Sequence, residues 1–166
     1  MTDGGKSVEQ RLAECEAIEA IKALKHRYWR FCDNKDPDGF RSCFVSKDAD
    51  LDYGPLGAYD DVEPIIQIFE HVALRKENGR YNVLDMHHGF MPDITIDGPT
   101  EAHGTWTLHF RQINFAEGTE SLSAGEYDDA YRIEDGRWKI SRSHHRGLWS
   151  ITRPLTDEVR VEQQLP

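Results

Sequence analysis

The feature that most constrains the fold of this sequence is a long amphipathic stretch near its amino terminus, residues 8–33. Ser7 and Gln10 have the spacing of a capping box, which predicts that a helix begins at residue 8. A helix of this length with so continuous an apolar face needs a large partner surface, and a β-sheet would provide one. The apolar residues recur every three or four positions, as on one helical face: Val8, Leu12, Cys15, Ile18, Ile21, Leu24, Tyr28 and Phe31.

The rest of the chain predicts two shorter helices and then only β-strands. One short helix begins at Pro37, and another follows Asp61 and ends at Asn78-Gly79. Apolar and polar residues alternate after position 80, which is typical of strands. Short turns separate them. The expected strands are 49–53, 83–90, 93–97, 102–114, 126–133 and 137–149.

Helices followed by a run of antiparallel strands give an α+β fold. We expect the first helix to pack in the concavity of a curved, mostly antiparallel sheet, with a small-molecule cavity between them. At 166 residues the chain has room for one core. We therefore predict a single domain over residues 1–166, with its core at about 8–150 and an extended carboxy-terminal tail at 152–166.

Composition excludes several functional classes. The net charge of -10 argues against a nucleic acid partner, because such proteins present lysine and arginine to phosphates. Neither a membrane-spanning run nor a signal-peptide layout is visible, so we predict no membrane partner and a cytoplasmic protein. The three cysteines, Cys15, Cys32 and Cys43, are scattered and predict no disulfide framework.

The main catalytic candidates are Asp33, at the end of the first helix, and the histidine pair His87-His88. Adjacent side chains on a strand point to opposite faces, so only one of these histidines can face the cavity. A histidine paired with a carboxylate is a general base, because the carboxylate stabilises the imidazolium that forms when the ring takes a proton. The residues alone also allow a solvated Asp33 and a surface histidine pair.

Further candidates come from the strands and from three tyrosines. Trp106 and Phe110 share one face of their strand and are expected at the cavity, whereas His109 has the opposite parity and is expected to face away. On the last strand, His144 or Arg146 is expected to line the cavity.

Phenol groups facing an apolar cavity can donate hydrogen bonds to a carbonyl or to a leaving hydroxyl. Tyr28, Tyr53 and Tyr127 are the candidates, with packing as the alternative role. Because adjacent histidines on a strand diverge, we predict no metal site. Phosphate-binding loops and the known signatures of a nucleophilic serine or cysteine are absent from the sequence.

Four segments in this order resemble the SnoaL-like branch of the NTF2-like superfamily, which includes scytalone dehydratase, bile-acid 7α-dehydratase and hexachlorocyclohexane dehydrochlorinase. The resemblance covers about residues 10–150. The segments are AIEAIKALKHRYWRFCDNKD, DLDYG, DMHHGFMPDITID and EYDDAYRIEDGRWKIS.

The resemblance implies a cone-shaped fold with a deep cavity, no cofactor and a homotrimer. In the lyases of this branch, an Asp at the end of the first helix pairs with a His two residues before a Gly, which selects Asp33 and His87 here. The three tyrosines fall at positions that carry cavity tyrosines in bile-acid dehydratase. An arginine on the last strand is also implied, but Arg142 and Arg146 fit its position equally poorly.

These observations lead to a functional hypothesis, a cofactor-independent, dehydratase-like lyase or isomerase acting on a small apolar substrate that is cyclic and steroid-, polyketide- or aromatic-like. His87 acts as base, Asp33 orients it, and Tyr28 and Tyr53 bind the substrate oxygen; Tyr127, Trp106, Phe110, His144 and Arg146 are the expected substrate contacts. A hydrolase or cyclase using the same base stays open. So does a non-catalytic ligand-binding or assembly subunit, such as the small subunit of an aromatic-ring dioxygenase.

Overall fold

A computed structural model describes residues 5–165 of the chain. Its three α-helices are α1 (Val8–Asp33), α2 (Pro37–Ser42) and α3 (Glu63–Ala73), and Gly54–Leu56 forms one turn of 3-10 helix. The strands are β1 (Asp50–Asp52), β2 (Ala58–Tyr59), β3 (Lys76–Glu77), β4 (Arg80–Tyr81), β5 (Val83–Ile96), β6 (Glu101–Asn114), β7 (Thr119–Glu134) and β8 (Arg137–Pro154).

Six of these strands form one sheet in the order β2-β1-β8-β7-β6-β5. Its pairs are antiparallel except for β1 with β8, which run parallel. Strands β3 and β4 form a separate small hairpin. The α1 helix packs across the sheet face, and the core lies between them. The predicted α+β architecture, with a long helix on a mostly antiparallel sheet, is confirmed.

The α1 helix begins and ends at the predicted residues, but its apolar face is buried only in its second half. The capping box forms as expected, with Ser7 accepting from the Gln10 N–H and the Gln10 side chain accepting from the Ser7 N–H. The predicted burial of Val8 and Leu12 is wrong, since these residues are 74% and 58% exposed. The buried residues of the helix are Ile21, Leu24, Lys25, Tyr28 and Trp29.

Several element boundaries differ from the sequence prediction. Helix α3 ends at Ala73, and Asn78-Gly79 instead forms the turn between β3 and β4. The two strands expected at 83–90 and 93–97 are one strand, β5, that bends at a bulge around Met91. Strand β7 begins at Thr119, seven residues before the predicted start. The prediction missed residues 119–125 because they are mostly small or polar and show no clear alternation.

The end of the chain is also more ordered than expected. Strand β8 continues to Pro154, so the predicted tail at 152–166 begins inside the sheet. Residue 166 lies outside the described residues. Across the described part of the chain, no helix combines the length and apolarity needed to cross a bilayer.

Candidate functional site

A cavity of about 310 Å³ lies between the carboxy-terminal half of α1, helices α2 and α3, and the concave face of the sheet. Most of its wall is apolar, as is typical of small-molecule sites. A smaller set of polar side chains converges on it. The apolar part includes Phe40, Leu56, Ile65, Ile68, Phe69, Leu108 and Phe110, and the polar part comprises Tyr28, Tyr53, Asp85, His87, Gln112, Ser123, Tyr127 and His145.

The Asp33 carboxylate binds His87 from behind the cavity wall. Asp33 Oδ1 lies 2.5 Å from His87 Nδ1, and the main-chain N–H of His87 donates to both carboxylate oxygens at 3.2 and 3.1 Å. An Asp that accepts from Nδ1–H leaves Nε2 as the free, basic nitrogen. The pair therefore has the geometry of a general base facing an apolar cavity.

The close approach of α1 to β5 brings these two residues together. Asp33 is the last residue of α1, where Asn34 caps the helix. On β5, a Cβ at Gly89 would collide with the Trp29 ring, so only glycine lets the helix lie this close to the strand. His87 faces inward, and the neighbouring His88 faces outward, where its ring stacks on His109 with centroids 6.3 Å apart.

Three phenols form the floor of the cavity. The hydroxyls of Tyr28 and Tyr53 are joined by a hydrogen bond of 3.1 Å, and the rings of Tyr28 and Tyr127 meet edge to face. All three side chains are buried. Burial raises the pKa of each phenol above its ordinary value, because the phenolate would lose hydration. The three residues therefore stay protonated and can act as hydrogen-bond donors at neutral pH.

A completely buried ion pair lies beneath this floor. Lys25 Nζ is 2.7 Å from Asp129 Oδ2, and neither side chain is exposed to solvent. The Tyr131 hydroxyl donates to the same carboxylate at 2.9 Å, and the Trp106 indole N–H donates to Tyr131 at 2.8 Å. Burial lowers the pKa of Lys25, an effect that the attraction of Asp129 opposes. The ammonium lies 3.8 Å from the centroid of the Tyr127 ring.

A second ion pair lies beside the base. Lys35, just after α1, binds Asp85, which also accepts a hydrogen bond of 2.9 Å from the Gln112 side chain. Asp85 lines the cavity on the same face of β5 as His87.

Sequence reasoning missed both ion pairs, although a signal for the Lys25–Asp129 pair was present. Lys25 is four residues after Ile21 and three before Tyr28, which places it on the buried helical face. Asp129 lies two residues from Tyr127 and from Tyr131, so it faces the same, inward side of β7.

The structure places five of the predicted side chains around the cavity: Tyr28, Tyr53, His87, Phe110 and Tyr127. Trp106 was expected among them and is not, because it packs in the core beside the cavity. Its ring meets Trp29 edge to face at 5.2 Å, and its indole N–H bonds Tyr131. His109 faces away from the cavity, as predicted.

The expected positions of His144 and Arg146 in the wall of this cavity are wrong, since both line a larger depression beside it. Their side chains are 39% and 73% exposed on the outer face of the sheet, where they bind Asp50 and Glu126. The reason is a bulge in β8. Ile140 pairs with Tyr131 and Arg142 with Ala130, so Ser141 is an extra residue that reverses the parity of the strand beyond it.

The same bulge turns His145 inward, and His145 therefore lines the cavity. Arg142 faces outward and binds Asp128. A bulge of one residue leaves no signal in the alternation of this strand, so the sequence could not show which last-strand residue faces the cavity.

A larger depression of about 840 Å³ adjoins this cavity, since Tyr127 and His145 line both, and it is also lined by Trp106, His144 and Arg146. Two of its side chains already have partners, with Arg146 bound to Glu126 at 2.6 Å and His144 bound to Asp50 at 2.8 Å. We therefore assign the functional site to the smaller inner cavity, where polar groups face an apolar space. Among residues 5–165, no three His, Cys, Asp or Glu side chains are grouped closely enough to hold a metal ion.

Comparisons with known proteins agree with this architecture. The family model of the SnoaL-like domain matches residues 13–144. A protein named as a candidate scytalone dehydratase from Novosphingobium aromaticivorans is similar in structure, with a TM-score of 0.74, 20% identity, and coverage of 90% of this chain and 98% of that one.

Two further solved structures share the fold. Hexachlorocyclohexane dehydrochlorinase LinA-type3 from Novosphingobium barchaimii is 18% identical, with a TM-score of 0.74 and coverage of 92% of this chain and 99% of that one. A protein named as a candidate aromatic ring hydroxylase from Novosphingobium aromaticivorans is 19% identical, with a TM-score of 0.68 and coverage of 90% and 96%. At these identities the likeness establishes the fold, an NTF2-like one.

Proposed function

The chain belongs to the SnoaL-like family, and from this membership and the geometry of the cavity we propose that it is a cofactor-independent lyase or isomerase. The observation that carries the proposal is the 2.5 Å contact between Asp33 and the His87 ring, at the wall of an apolar cavity. Dehydratase-like neighbours share the fold, which supports a lyase-type, isomerase-type or ligand-binding role.

In the proposed reaction, His87 Nε2 removes a proton from a carbon next to a carbonyl group of the substrate. Asp33 keeps the Nδ1–H tautomer and balances the charge of the imidazolium that forms. A positioned base of this kind contributes about 10²- to 10⁴-fold to the rate. The electron pair of the broken C–H bond then moves toward the carbonyl oxygen, which gains negative charge.

Tyr28 and Tyr53 are the proposed donors to the oxygen that gains charge or leaves. Their hydroxyls lie 3.1 Å apart, so one can donate to the other while the second donates into the cavity. The apolar wall formed by α2, α3 and β6 favours a small, mostly apolar and cyclic substrate. A hydrolase or cyclase would use the same base on water or on a polyketide carbon acid.

A ligand-binding or assembly subunit is the second candidate function. The neighbour named as a candidate aromatic ring hydroxylase supports it through the fold, which serves unrelated roles in different proteins. Co-purification with a larger, iron-containing chain would favour this candidate over the enzyme. The Asp33–His87 pair favours the enzyme, since a passive binding site does not need an oriented base.

To test the enzymatic proposal, the wild-type protein is screened against cyclic β-hydroxy ketones for elimination of water, followed by absorbance of the enone product. Substitution His87→Gln is expected to lower turnover about 10²- to 10⁴-fold. The matched control is His88→Gln, which changes the adjacent, outward-facing histidine and should retain activity. Equal turnover by wild type and His87→Gln would reject His87 as the base.

We also propose that the protein assembles through the outer face of its sheet, as a homotrimer. Exposed apolar side chains on β5 and β8 cover this face, including Met86, Phe90, Trp149 and Ile151, each about half exposed. Ile151 and Trp149 of β8 lie opposite Leu122 and Ala124 of β7, and Arg111 and His109 of β6 lie between this pair of strands and β5. Apolar patches of this kind mark association surfaces.

Sedimentation of wild type and Trp149→Glu tests the assembly. The wild type is expected to sediment as a trimer and the variant as a smaller species, because a carboxylate would be buried in the interface. Val8→Glu is the control, since Val8 is an exposed apolar residue far from this face. A monomeric wild type would contradict the proposal. The cytoplasmic location and the absence of a cofactor stay predictions.

A further inference from the structure

His145 is a cavity histidine whose ring nitrogens are unused. It lines the cavity on β8, and among residues 5–165 no side chain or main-chain group forms a hydrogen bond with its imidazole. Three other histidines of the sheet, His87, His103 and His144, each bind a carboxylate. The ring is partly buried, and its nitrogens are left available to a ligand in the cavity.

Gly125 and Tyr127 of β7 fix the position of the His145 ring. A Cβ at Gly125 on β7 would collide with His145 Nε2, so glycine there leaves the space that the imidazole occupies. The other side of the ring packs on Tyr127, with centroids 4.9 Å apart. These two neighbours fix the position of the ring but bind neither nitrogen.

The surroundings favour a neutral ring and a negatively charged ligand atom. Burial lowers the pKa of His145, and repulsion between its imidazolium and the positively charged forms of Lys25 and His87 lowers it further. At neutral pH the imidazole is therefore uncharged, with one N–H donor and one acceptor. The positive charge that disfavours an imidazolium at His145 also attracts a substrate oxygen that carries negative charge.

We propose that His145 is a further catalytic residue, which donates a hydrogen bond to the carbonyl oxygen of the substrate. The inference rests on the proposed function. His87 takes the proton from the carbon, the C–H electron pair forms a C=C bond, and the carbonyl π pair moves onto oxygen. The His145 N–H stabilises that enolate oxygen without giving up its proton. The enolate then expels a β-hydroxyl as water or is reprotonated at another carbon.

This assignment narrows the substrate class to cyclic carbonyl compounds that reach across the cavity. Their acidic C–H lies toward β5, where His87 is, and their oxygen lies toward β8. Two strands, β6 and β7, separate these positions in the sheet. A carbonyl compound too small to touch both walls would be a poor substrate.

Binding of 4-nitrophenolate tests the proposal, because this one-ring oxyanion resembles an enolate and its absorbance reports its ionisation. The His145→Phe variant keeps a ring but removes the donor, and is expected to bind about 10- to 100-fold more weakly than wild type. His145→Gln keeps a donor and should recover part of the affinity. His144→Phe is the matched control. The His144 side chain is adjacent in sequence but binds Asp50 on the outer face, so this substitution should leave phenolate binding unchanged.

Equal affinity of wild type and His145→Phe, or no binding by wild type, would overturn the inference. Turnover of the His87→Gln variant distinguishes failure of this inference from failure of the proposed function. If that variant retained full turnover while His145→Phe lost phenolate binding, the base would be wrong and the oxygen site would stand. If His87→Gln lost turnover while His145→Phe bound the phenolate as tightly as wild type, His87 would stand as the base and the oxygen site at His145 would be wrong.

Discussion

Two acid–base pairs connect α1 to the sheet, and they differ in their access to the cavity. Asp33 and His87 have side chains that are 24% and 16% exposed, and the His87 ring faces the cavity. Lys25 and Asp129 are completely buried under the phenol floor. A proton can pass between a ligand and the first pair, whereas the second pair is sealed by packed side chains. From this difference in burial we infer a chemical role for the Asp33–His87 pair and a structural role for the Lys25–Asp129 pair.

The sealed pair gives the largest expected effect on stability. Substitution Lys25→Met leaves the Asp129 carboxylate buried without its ammonium, and should lower the free energy of unfolding by about 3–5 kcal/mol. Urea denaturation measures this change.

Two further variants sharpen the comparison of the pairs. The double variant Lys25→Met with Asp129→Asn should recover much of the loss, because no unpaired charge remains while Tyr131 keeps its acceptor. His87→Gln, at the open pair, should change the free energy of unfolding by about 1 kcal/mol or less. A smaller loss for Lys25→Met than for His87→Gln would contradict the division between a structural and a chemical pair.

A smaller, pH-dependent effect is expected at the open side, from His145. Its folded pKa lies below the ordinary value of 6.5, so the unfolded chain binds the proton more readily. Stability should therefore fall as the pH drops below about 6.5 toward the folded pKa, and this contribution is absent above that range. The groups that face His145 are Lys25 on α1, Tyr127 on β7, Tyr53 after β1 and His87 on β5.

Urea denaturation of wild type and His145→Phe between about pH 7.5 and pH 5 measures this contribution. The difference in unfolding free energy between the two proteins should shrink or change sign toward low pH, because only the wild type has a partly buried imidazole at position 145. Parallel curves for the two proteins would contradict the partly buried, neutral state of His145.

Most of the fold followed from patterns of apolar residues, and the main gaps have physical causes. The α1 helix could be bounded because Ser7 and Gln10 cap it and its period is continuous. The first half of β7 could not, because Ser121 and Ser123 replace apolar residues where that strand turns toward the cavity.

The candidate site was harder to predict than the fold. Parity and the family resemblance together selected His87, which the structure places against Asp33. The single extra residue Ser141 reversed the parity of β8, and so His145 was missed in favour of His144. Such a bulge depends on the pairing of two strands, which the sequence of one strand does not specify.

Exchange of substrate protons with solvent tests the central claim most directly, because it detects proton removal whatever reaction follows. Cyclic ketones are incubated with the protein in deuterated water, and loss of the proton signal next to the carbonyl is followed by NMR. Wild type and His88→Gln are expected to catalyse the exchange, and His87→Gln should be slower by about 10²- to 10⁴-fold. Exchange by His87→Gln at the wild-type rate would contradict the assignment of the Asp33–His87 pair as the base.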